Sequence, residues 1–228
     1  MSATDLLEFA RGPALAFSLF VMIAGSAWRI AAISRLGGRT DLSEPRSTRL
    51  FAGAMRGIFG KMIPREEFRR REQLSAFNAY VYHIGLALIA FAYLPHIQFI
   101  ERLTGLAWPA LPAAVMYIAV GPTLVTLVIA LAQRFNDPVR RLLSGIDDYF
   151  SWFVVVLPIV TGMAAIYQPP VAAALPGAPA YPLPLAIHLL SAELLFVWLP
   201  FGKLAHAFLV FIARGITGAA LARKGAAI

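Results

Sequence analysis

Five long apolar stretches dominate this sequence and limit what it can fold into. They cover residues 14–33, 74–100, 113–133, 149–167 and 185–212, which we call spans I to V. Each is close to or above the roughly 20 residues that a helix needs to cross the apolar core of a bilayer. Lipid cannot hydrogen-bond backbone groups, so a helix is the expected form. The sequence therefore predicts an all-α integral membrane protein with five transmembrane helices in a single domain, residues 1–228.

Charged residues are few and lie between the apolar stretches. Only 14% of the 228 residues are charged, and 20 Lys and Arg against 12 Asp and Glu give a net charge of +8. Such a positive balance is also typical of nucleic-acid-binding proteins. Here most of the basic residues lie in the segments between the spans, where they report membrane topology. We therefore expect contact with membrane lipid and no nucleic-acid partner.

The basic residues are distributed unequally between the two sides of the predicted membrane. Ten lie in residues 34–73, three in the loop after span III and three in the C-terminal tail. Because cytoplasmic loops carry the excess of Lys and Arg, this side is predicted to be cytoplasmic. An odd number of spans then places the N-terminus outside and the C-terminus in the cytoplasm. The expected location is the bacterial cytoplasmic (inner) membrane, as a multi-pass protein.

Two segments between the spans have a pattern of their own. In the cytoplasmic segment, residues 34–73, apolar side chains recur at helical spacing with basic ones between them. These residues are Leu50, Phe51, Met55, Ile58, Phe59 and Met62, with Arg49, Arg56 and Lys61. They predict an amphipathic helix at the membrane surface, as a lipid anchor, a docking surface for a soluble partner, or both. Residues 168–184 contain six prolines and are predicted to form an irregular outer loop.

All four histidines lie on spans II and V, one near each end of each span. With the predicted topology, His83 and His206 lie toward the cytoplasm, and His96 and His188 lie toward the outside. Ionisable groups inside a membrane are costly and commonly functional. Two imidazoles at each of two depths are the axial ligands that two stacked b haems need. The chain has no cysteine, which excludes iron–sulfur clusters and covalently attached haem.

Histidine spacing supports this interpretation in span V more clearly than in span II. The 18 residues from His188 to His206 are five whole turns, whereas the 13 from His83 to His96 give about 140° between them on an ideal helix. Pro95 is expected to kink span II and change that angle. Small residues near the histidines would let a flat macrocycle approach. They are Gly85, Ala87, Ala92, Ala186, Gly202, Ala205 and Ala207.

Other interpretations remain open from the residues alone. The histidines would also serve a non-redox membrane anchor or transporter subunit, through helix contacts or proton passage. A zinc or copper site is disfavoured, because the pairs lie too far apart to share one ion and no thiolate is present.

The sequences around two of the histidines resemble the haem-binding helices of the respiratory nitrate reductase gamma subunit family. These are residues 82–85 (Tyr-His-Ile-Gly) and residues 201–206 (Phe-Gly-Lys-Leu-Ala-His). The span number, topology, chain length and histidine spacing in span V are similar too. The resemblance implies a membrane di-haem cytochrome b with haems between spans II and V. The inner haem would use His83 and His206, and the outer haem His96 and His188.

The same resemblance implies a role in a respiratory chain. The subunit would oxidise quinol near the outer face and pass electrons to a cytoplasmic iron–sulfur or catalytic partner, including one of the heterodisulfide-reductase-like type. It would be the cytochrome b subunit of a membrane oxidoreductase complex and would not act alone on the terminal substrate. The reverse flow, as a quinone reductase, is an alternative, because direction depends on the potential of the partner.

One departure from the family pattern concerns the outer haem. The pattern places the second histidine of span II about three residues earlier, at the position of Tyr93, whereas here His96 follows Pro95. Whether His96 or another residue ligates the outer haem is therefore left open. The same cytochrome module also serves complexes other than nitrate reductase.

Five further residues are candidate contacts for haem propionates or quinone: Lys203, Arg29, Tyr93, Arg102 and Glu193. Lys203 and Arg29 lie near the cytoplasmic ends of their spans, where they would pair with a propionate or extend to the interface. Glu193 lies inside span V, where a carboxylate is costly. It would relay protons from quinol, or form a hydrogen bond to a neighbouring helix.

Overall fold

The computed structural model describes residues 2–35, 42–60, 62, 66–166 and 182–226. Over these residues the chain is helical and contains no strand. The α-helices are α1 (Ala3–Phe9), α2 (Leu15–Arg35), α3 (Leu50–Phe59), α4 (Glu66–Ala92), α5 (Leu94–Thr104), α6 (Ala113–Asn136), α7 (Pro138–Leu143), α8 (Ile146–Ile166), α9 (Pro182–Trp198) and α10 (His206–Arg223). A π-helical turn, Ala10–Ala14, joins α1 to α2, and a 3₁₀ turn, Lys203–Ala205, precedes α10. Lys61 and most of the predicted proline-rich loop lie outside the described residues.

Five of the described helices are long and apolar enough to cross a membrane, judged by length and composition. They are Ala3–Arg35, Glu72–Ala92, Ala113–Asn136, Ile146–Ile166 and Lys203–Arg223. This confirms the predicted all-helical class and the number of helices capable of spanning. The first four correspond to spans I to IV. The fifth, Lys203–Arg223, overlaps only the last part of the predicted span V, residues 185–212, and extends beyond it.

Span V is not one continuous helix, so this part of the sequence prediction is wrong. Helix α9 ends at Trp198, a turn follows, and α10 begins at His206. The cause is local: Pro200 has no amide hydrogen to donate, and it disfavours helical geometry in the residue before it. Gly202 is extended, with φ −84° and ψ −174°. The 18 residues from His188 to His206 are therefore not five turns of one helix, and the inference that this spacing places both imidazoles on the same face fails.

Span II is interrupted as Pro95 predicts. Helix α4 ends at Ala92, and Tyr93 is extended with φ −86° and ψ 127° before α5 begins. The last carbonyls of a helix need partners from outside the helix. At the end of α4, Trp108 donates its indole Nε1–H to the carbonyl of Phe91 at 2.5 Å, and the amide of Leu111 donates to that of Ala92 at 3.0 Å. The segment after α5 thus stabilises the break.

The described residues form two compact units, and the first is Glu66–Trp152. In it, α4 packs against α6 at Gly85, where a Cβ would collide with the hydroxyl of Thr123. The side-chain amide of Asn78 donates to the carbonyl of Thr126 at 2.9 Å. The later residue of α4, Gly85, contacts the earlier residue of α6, Thr123, and the earlier Asn78 contacts the later Thr126, so α4 and α6 are antiparallel.

The beginning of α4 meets the basic α6–α7 region at the same end of this unit. Arg140 donates from Nη2 to the hydroxyl of Ser75 at 2.6 Å. Nearby, Arg134 forms an ion pair with the buried carboxylate of Asp148 at 2.7 Å. That carboxylate also accepts the amide of Gly145 at 3.0 Å, so it stabilises the start of α8.

The second unit contains the described parts of Met1–Arg65 and Phe153–Ile228. In it α1 and α2 pack against α9, and α3 packs against α10. The predicted amphipathic helix of the cytoplasmic segment is present as α3 (Leu50–Phe59). Its glycines Gly53 and Gly57 lie against Gly218 and Ala222 of α10, where an added Cβ would collide with the facing helix. Small residues at four-residue spacing on both helices therefore let their backbones approach closely.

Candidate functional site

His83 lies on α4 with an exposed side chain. Its Nδ1 atom is 2.7 Å from the carbonyl oxygen of Ala79, one turn earlier in the same helix. The ring of Tyr82 lies beside the imidazole, with ring centroids 4.5 Å apart and planes at 31°. The imidazole is therefore held by its own helix and by the adjacent aromatic residue.

His96 lies on α5, directly after the break in span II. Its Nδ1 atom is 2.7 Å from the carbonyl oxygen of Ile89 in the last turn of α4. The ring of Tyr93 meets the imidazole edge-on, with centroids 5.3 Å apart and planes at 85°. His96 thus partners one of the carbonyls that the end of α4 leaves without a helical partner.

His188 lies on α9 and packs against α8. A Cβ added to Gly162 would lie 3.1 Å from the Cε1 atom of the imidazole, so only glycine leaves the ring its present room. The Nδ1 atom is 3.4 Å from the hydroxyl oxygen of Thr161. The hydroxyl oxygen of Thr161 also lies 2.8 Å from the carbonyl oxygen of Leu157 and 2.8 Å from the hydroxyl oxygen of Ser191. Ser191 donates its hydroxyl to the backbone carbonyl of His188 at 2.6 Å.

His206 is the first residue of α10 and has an exposed side chain. Its Nδ1 atom is 2.8 Å from the carbonyl oxygen of Lys203, in the 3₁₀ turn that follows the break in span V. The break therefore gives His206 its hydrogen-bond partner, and the side chain is oriented by the turn.

One relationship is shared by all four histidines: in each, Nδ1 lies next to an oxygen atom. In His83, His96 and His206 that oxygen is a backbone carbonyl, which only accepts hydrogen bonds. Nδ1 must then carry the proton, and in a neutral imidazole the lone pair lies on Nε2. Histidines that bind metal through Nε2 usually donate the other ring N–H to a carbonyl, a carboxylate or water in this way.

The structure divides the four histidines between its two units. His83 and His96 lie in Glu66–Trp152, and His188 and His206 lie in the other unit. Each predicted pair, His83 with His206 and His96 with His188, takes one residue from each unit. The pairing across the two units stays a prediction. Among the described residues, no group of three or more His, Cys, Asp or Glu converges in a metal-binding arrangement.

The five further candidate contacts for haem propionates or quinone lie on different helices and turns. Lys203 is exposed in the 3₁₀ turn, three residues before His206, and Arg29 is half-buried on α2. Tyr93 is the extended residue between α4 and α5, and Arg102 is exposed in the last turn of α5. Glu193 is 6% exposed on α9, and neither of its carboxylate oxygens has a hydrogen-bond partner within the described residues.

Sequence reasoning missed the residues that surround His188. Ser191 lies three positions after it on α9, so the spacing of helical neighbours would have indicated contact. Thr161 and Gly162 lie on a different helix, and nothing in the order of residues connects them to His188. Sequence reasoning also missed Asn78 and Thr123, whose contacts position α4 against α6.

Comparison with known proteins adds a relative without a stated function. No protein-family model matches the chain, and no solved structure matches it. A curated protein of Nitratidesulfovibrio vulgaris (strain ATCC 29579), described only as "Protein", is 29% identical over 227 residues. The alignment covers 97% of this chain and 96% of that relative. The two proteins are therefore similar over nearly their whole length, and the relative's name assigns no activity.

Proposed function

We propose that this chain is a di-haem b membrane subunit that transfers electrons between the quinone pool and a cytoplasmic partner. His83 and His206 would hold the inner haem, and His96 and His188 the outer haem. Quinol would be oxidised near the outer face, and the electrons would reach a cytoplasmic iron–sulfur or heterodisulfide-reductase-like subunit. The function of the complex that this subunit serves depends on that partner.

The observation that carries this proposal is the hydrogen bonding of the four imidazoles. In a chain with few intramembrane ionisable groups, His83, His96 and His206 place Nδ1 beside a backbone carbonyl oxygen, and His188 places it beside a hydroxyl. The carbonyls fix the same tautomer in the first three rings, with the lone pair on Nε2. Bis-imidazole ligation needs neutral rings that are held in one orientation, so the donor set fits two b haems.

The course of the first helices supports the predicted topology. Residues 9–18 lie beside residues 190–197 along a shared groove, and Gly25 lies beside Pro200. Later residues of one segment thus lie beside later residues of the other, which indicates parallel helices. We therefore infer that α2 and α9 enter the membrane from the same side. Antiparallel α4 and α6 follow the alternation expected of consecutive spans. These courses fit five crossings in alternating directions, and the placement of the N-terminus outside rests on the distribution of the basic residues.

The break in span V changes how the chain would reach the cytoplasm. Helix α9 has 17 residues, about 25 Å long at 1.5 Å per residue, which is near the lower limit for crossing a bilayer. In this proposal α9 is the fifth crossing and ends at the turn before Lys203, although Lys203–Arg223 is also long and apolar enough to cross. Helix α10 would then lie with α3 at the cytoplasmic surface. The half-buried Arg214 in the middle of α10 and its packing on the amphipathic α3 support this placement.

The haems would supply the electron carriers, since b haems cycle between ferric and ferrous iron. The chain's own residues would supply ligation and burial, and they would neutralise charge. Lys203 and Arg29 would pair with haem propionates at the cytoplasmic end. Gly162 leaves room for the imidazole of His188, and the hydroxyl of Thr161 orients it.

The experiment that tests the proposal is a reduced-minus-oxidised visible spectrum of the purified protein, with haem quantified against protein. Two b-type haems per chain are expected. One haem per chain would retain only one of the two assigned pairs. A flat spectrum from protein produced with ample haem would overturn the proposal and favour the anchor or transporter interpretation.

A further inference from the structure

A groove with a volume of about 490 Å³ lies between the N-terminal helix and α9. This volume is within the range of roughly 300–1,000 Å³ that is common for small-molecule sites. Aromatic and aliphatic side chains form most of its wall, and Phe9 and Phe17 remain 47% and 62% exposed along it. The residues that line it are Phe9, Pro13, Ala14, Phe17, Ser18, Leu190, Glu193, Leu194 and Val197. All of them belong to one compact unit.

Glu193 is the one titratable residue among those that line the groove. Its side chain is 6% exposed, and neither oxygen has a hydrogen-bond partner within the described residues. Ser18, the other polar lining residue, donates its hydroxyl to the carbonyl of Leu15 at 2.9 Å, so this hydroxyl proton is already used. A buried carboxyl group without a partner costs free energy, and a ligand that donates a hydrogen bond would remove that cost.

The opposite wall of the groove is built by an irregular part of the first helix. Pro13 and Ala14 belong to the π-helical turn Ala10–Ala14, which contains the proline. Single π-helical turns inside α-helices occur frequently at functional sites. The turn therefore lines the same groove as Glu193.

The groove adjoins the predicted outer haem ligand through α9. Glu193 follows His188 by five residues, about 7.5 Å along the helix axis at 1.5 Å per residue. Five residues also rotate the helix by about 140°, so the groove lies within one and a half turns of His188 but on a different face of α9. An apolar groove with one buried hydrogen-bond acceptor fits a flat, apolar ring system that carries a hydroxyl group.

We propose that this groove binds the quinol ring and that Glu193 accepts the proton of its hydroxyl group. The inference rests on the function proposed above and names the substrate site of that function. Oxidation of one quinol breaks two O–H bonds and releases two protons and two electrons. The two b haems that the four histidines would hold would supply the oxidant and take one electron each. The protons pass in turn to the Glu193 carboxylate and from there to water.

The test combines photolabelling with stopped-flow reduction of the purified full chain. An azido-substituted naphthoquinone is photolysed with the protein, and labelled peptides are mapped by mass spectrometry. We expect the label on peptides that contain residues 9–18 or 190–197. Ala14→Leu should fill the groove and reduce labelling at least tenfold. Ala24→Leu, at an exposed position of the same helix, should leave labelling unchanged and is the matched control.

Glu193→Gln tests proton acceptance separately from binding, because it keeps the size of the side chain and removes the carboxylate. We expect the same haem content and the same labelling as the unaltered chain. Reduction of the haems by a naphthoquinol should slow at least tenfold and lose its dependence on pH. Glu8→Gln, which alters an exposed carboxylate outside the groove lining, should behave like the unaltered chain.

The outcomes separate the two proposals. Labelling confined to other peptides, or quinol-driven reduction of Glu193→Gln at the unaltered rate, would overturn the groove inference while two haems per chain still upheld the electron-transfer function. A protein without haem would end the proposed function. Groove labelling that Ala14→Leu abolishes would in that case still support the quinone site.

Discussion

The imidazole of His96 turns back to the helix that precedes it, and its Nδ1 atom lies 2.7 Å from the carbonyl oxygen of Ile89. The extended conformation of Tyr93 ends α4 and leaves its last carbonyls without helical partners. His96 therefore stabilises the break between α4 and α5, and this break in turn determines the position of His96. The same hydrogen bond leaves the lone pair on Nε2, so a structural role and haem ligation are compatible in one side chain.

Substitution of His96 separates these two roles. His96→Ala should remove the outer haem, which halves the haem content, and should also leave the Ile89 carbonyl without its partner, at a cost of about 1–3 kcal/mol. His96→Asn should lose the haem equally but retain much of the stability, because its amide N–H can replace Nδ1–H. Haem per protein and thermal unfolding in detergent measure the two effects.

Tyr93→Phe is the companion variant for this prediction, since Tyr93 occupies the position at which the resembling family carries its histidine. Two haems per chain are expected to remain in Tyr93→Phe. Loss of the outer haem from this variant, with retention in His96→Asn, would contradict the assignment of His96.

Gly162 should be essential for the orientation of His188. A side chain at this position would press on the imidazole, because even a Cβ would lie 3.1 Å from its Cε1 atom. Gly162→Leu should therefore displace the ring and lower the occupancy of the outer haem at least severalfold. Gly121→Leu is the matched control, because a Cβ at Gly121 has no neighbour within 4 Å. Equal haem content in both variants would show that His188 does not hold a haem in this orientation.

The sequence predicted much of the fold because membrane helices are marked by continuous apolar runs. It also predicted a kink at Pro95, where the structure has a full break between two helices, since a proline inside a span has a local steric effect. The break in span V was missed, although Pro200 and Gly202 carry the same kind of signal. The hydropathy of residues 185–212 is continuous across it, and apolar character alone does not distinguish one helix from two.

The local surroundings of the candidate site were harder to predict than the candidates themselves. Histidines are visible because they are rare in apolar runs, whereas Thr161 and Gly162 are ordinary residues of a membrane helix. Their proximity to His188 depends on how α8 packs against α9, which a single sequence does not encode as a pattern. The lack of a hydrogen-bond partner for Glu193 within the described part of the chain is likewise a property of packing, and it depends on how α9 packs against α1 and α2.

His206→Ala should remove the inner haem and leave the outer one. The side chain lies at the start of α10, so truncation should alter the helix little, and one haem per chain is expected in membranes with a normal amount of protein. Thr217→Ala, at an exposed position of the same helix, should keep both haems. Pyridine haemochrome measurement on both purified variants checks this, and full haem content in His206→Ala would rule out the inner-site assignment.

Asp148 should contribute to stability without contributing to electron transfer. Its buried carboxylate pairs with Arg134 at 2.7 Å and accepts the amide of Gly145 at 3.0 Å. Asp148→Asn should lower the free energy of unfolding by about 1–3 kcal/mol, because the charge-assisted bonds are lost while Arg134 keeps partial access to solvent. The haem spectrum of the folded protein should be unchanged. Thermal unfolding of Asp148→Asn is measured together with that of Asp147→Asn, which changes a neighbouring half-buried carboxylate. The difference between the two variants gives the contribution of the Asp148 contacts.

The close packing of α3 on α10 should depend on Gly218 and not on Gly215, one turn earlier in the same helix. A Cβ at Gly218 would collide with the carbonyl of Gly53 and approach the Cα atom of Gly57 to 2.9 Å, so Gly218→Ala must push the helices apart. We expect a loss of about 1–3 kcal/mol, as for other overpacked contacts. Gly215→Ala, one turn earlier, would meet only Ile58 at an ordinary 3.6 Å and should gain up to about 1 kcal/mol from its helix propensity. Limited proteolysis within residues 42–60 reports the separation, and equal protection in both variants would show that this glycine contact does not hold the two helices together.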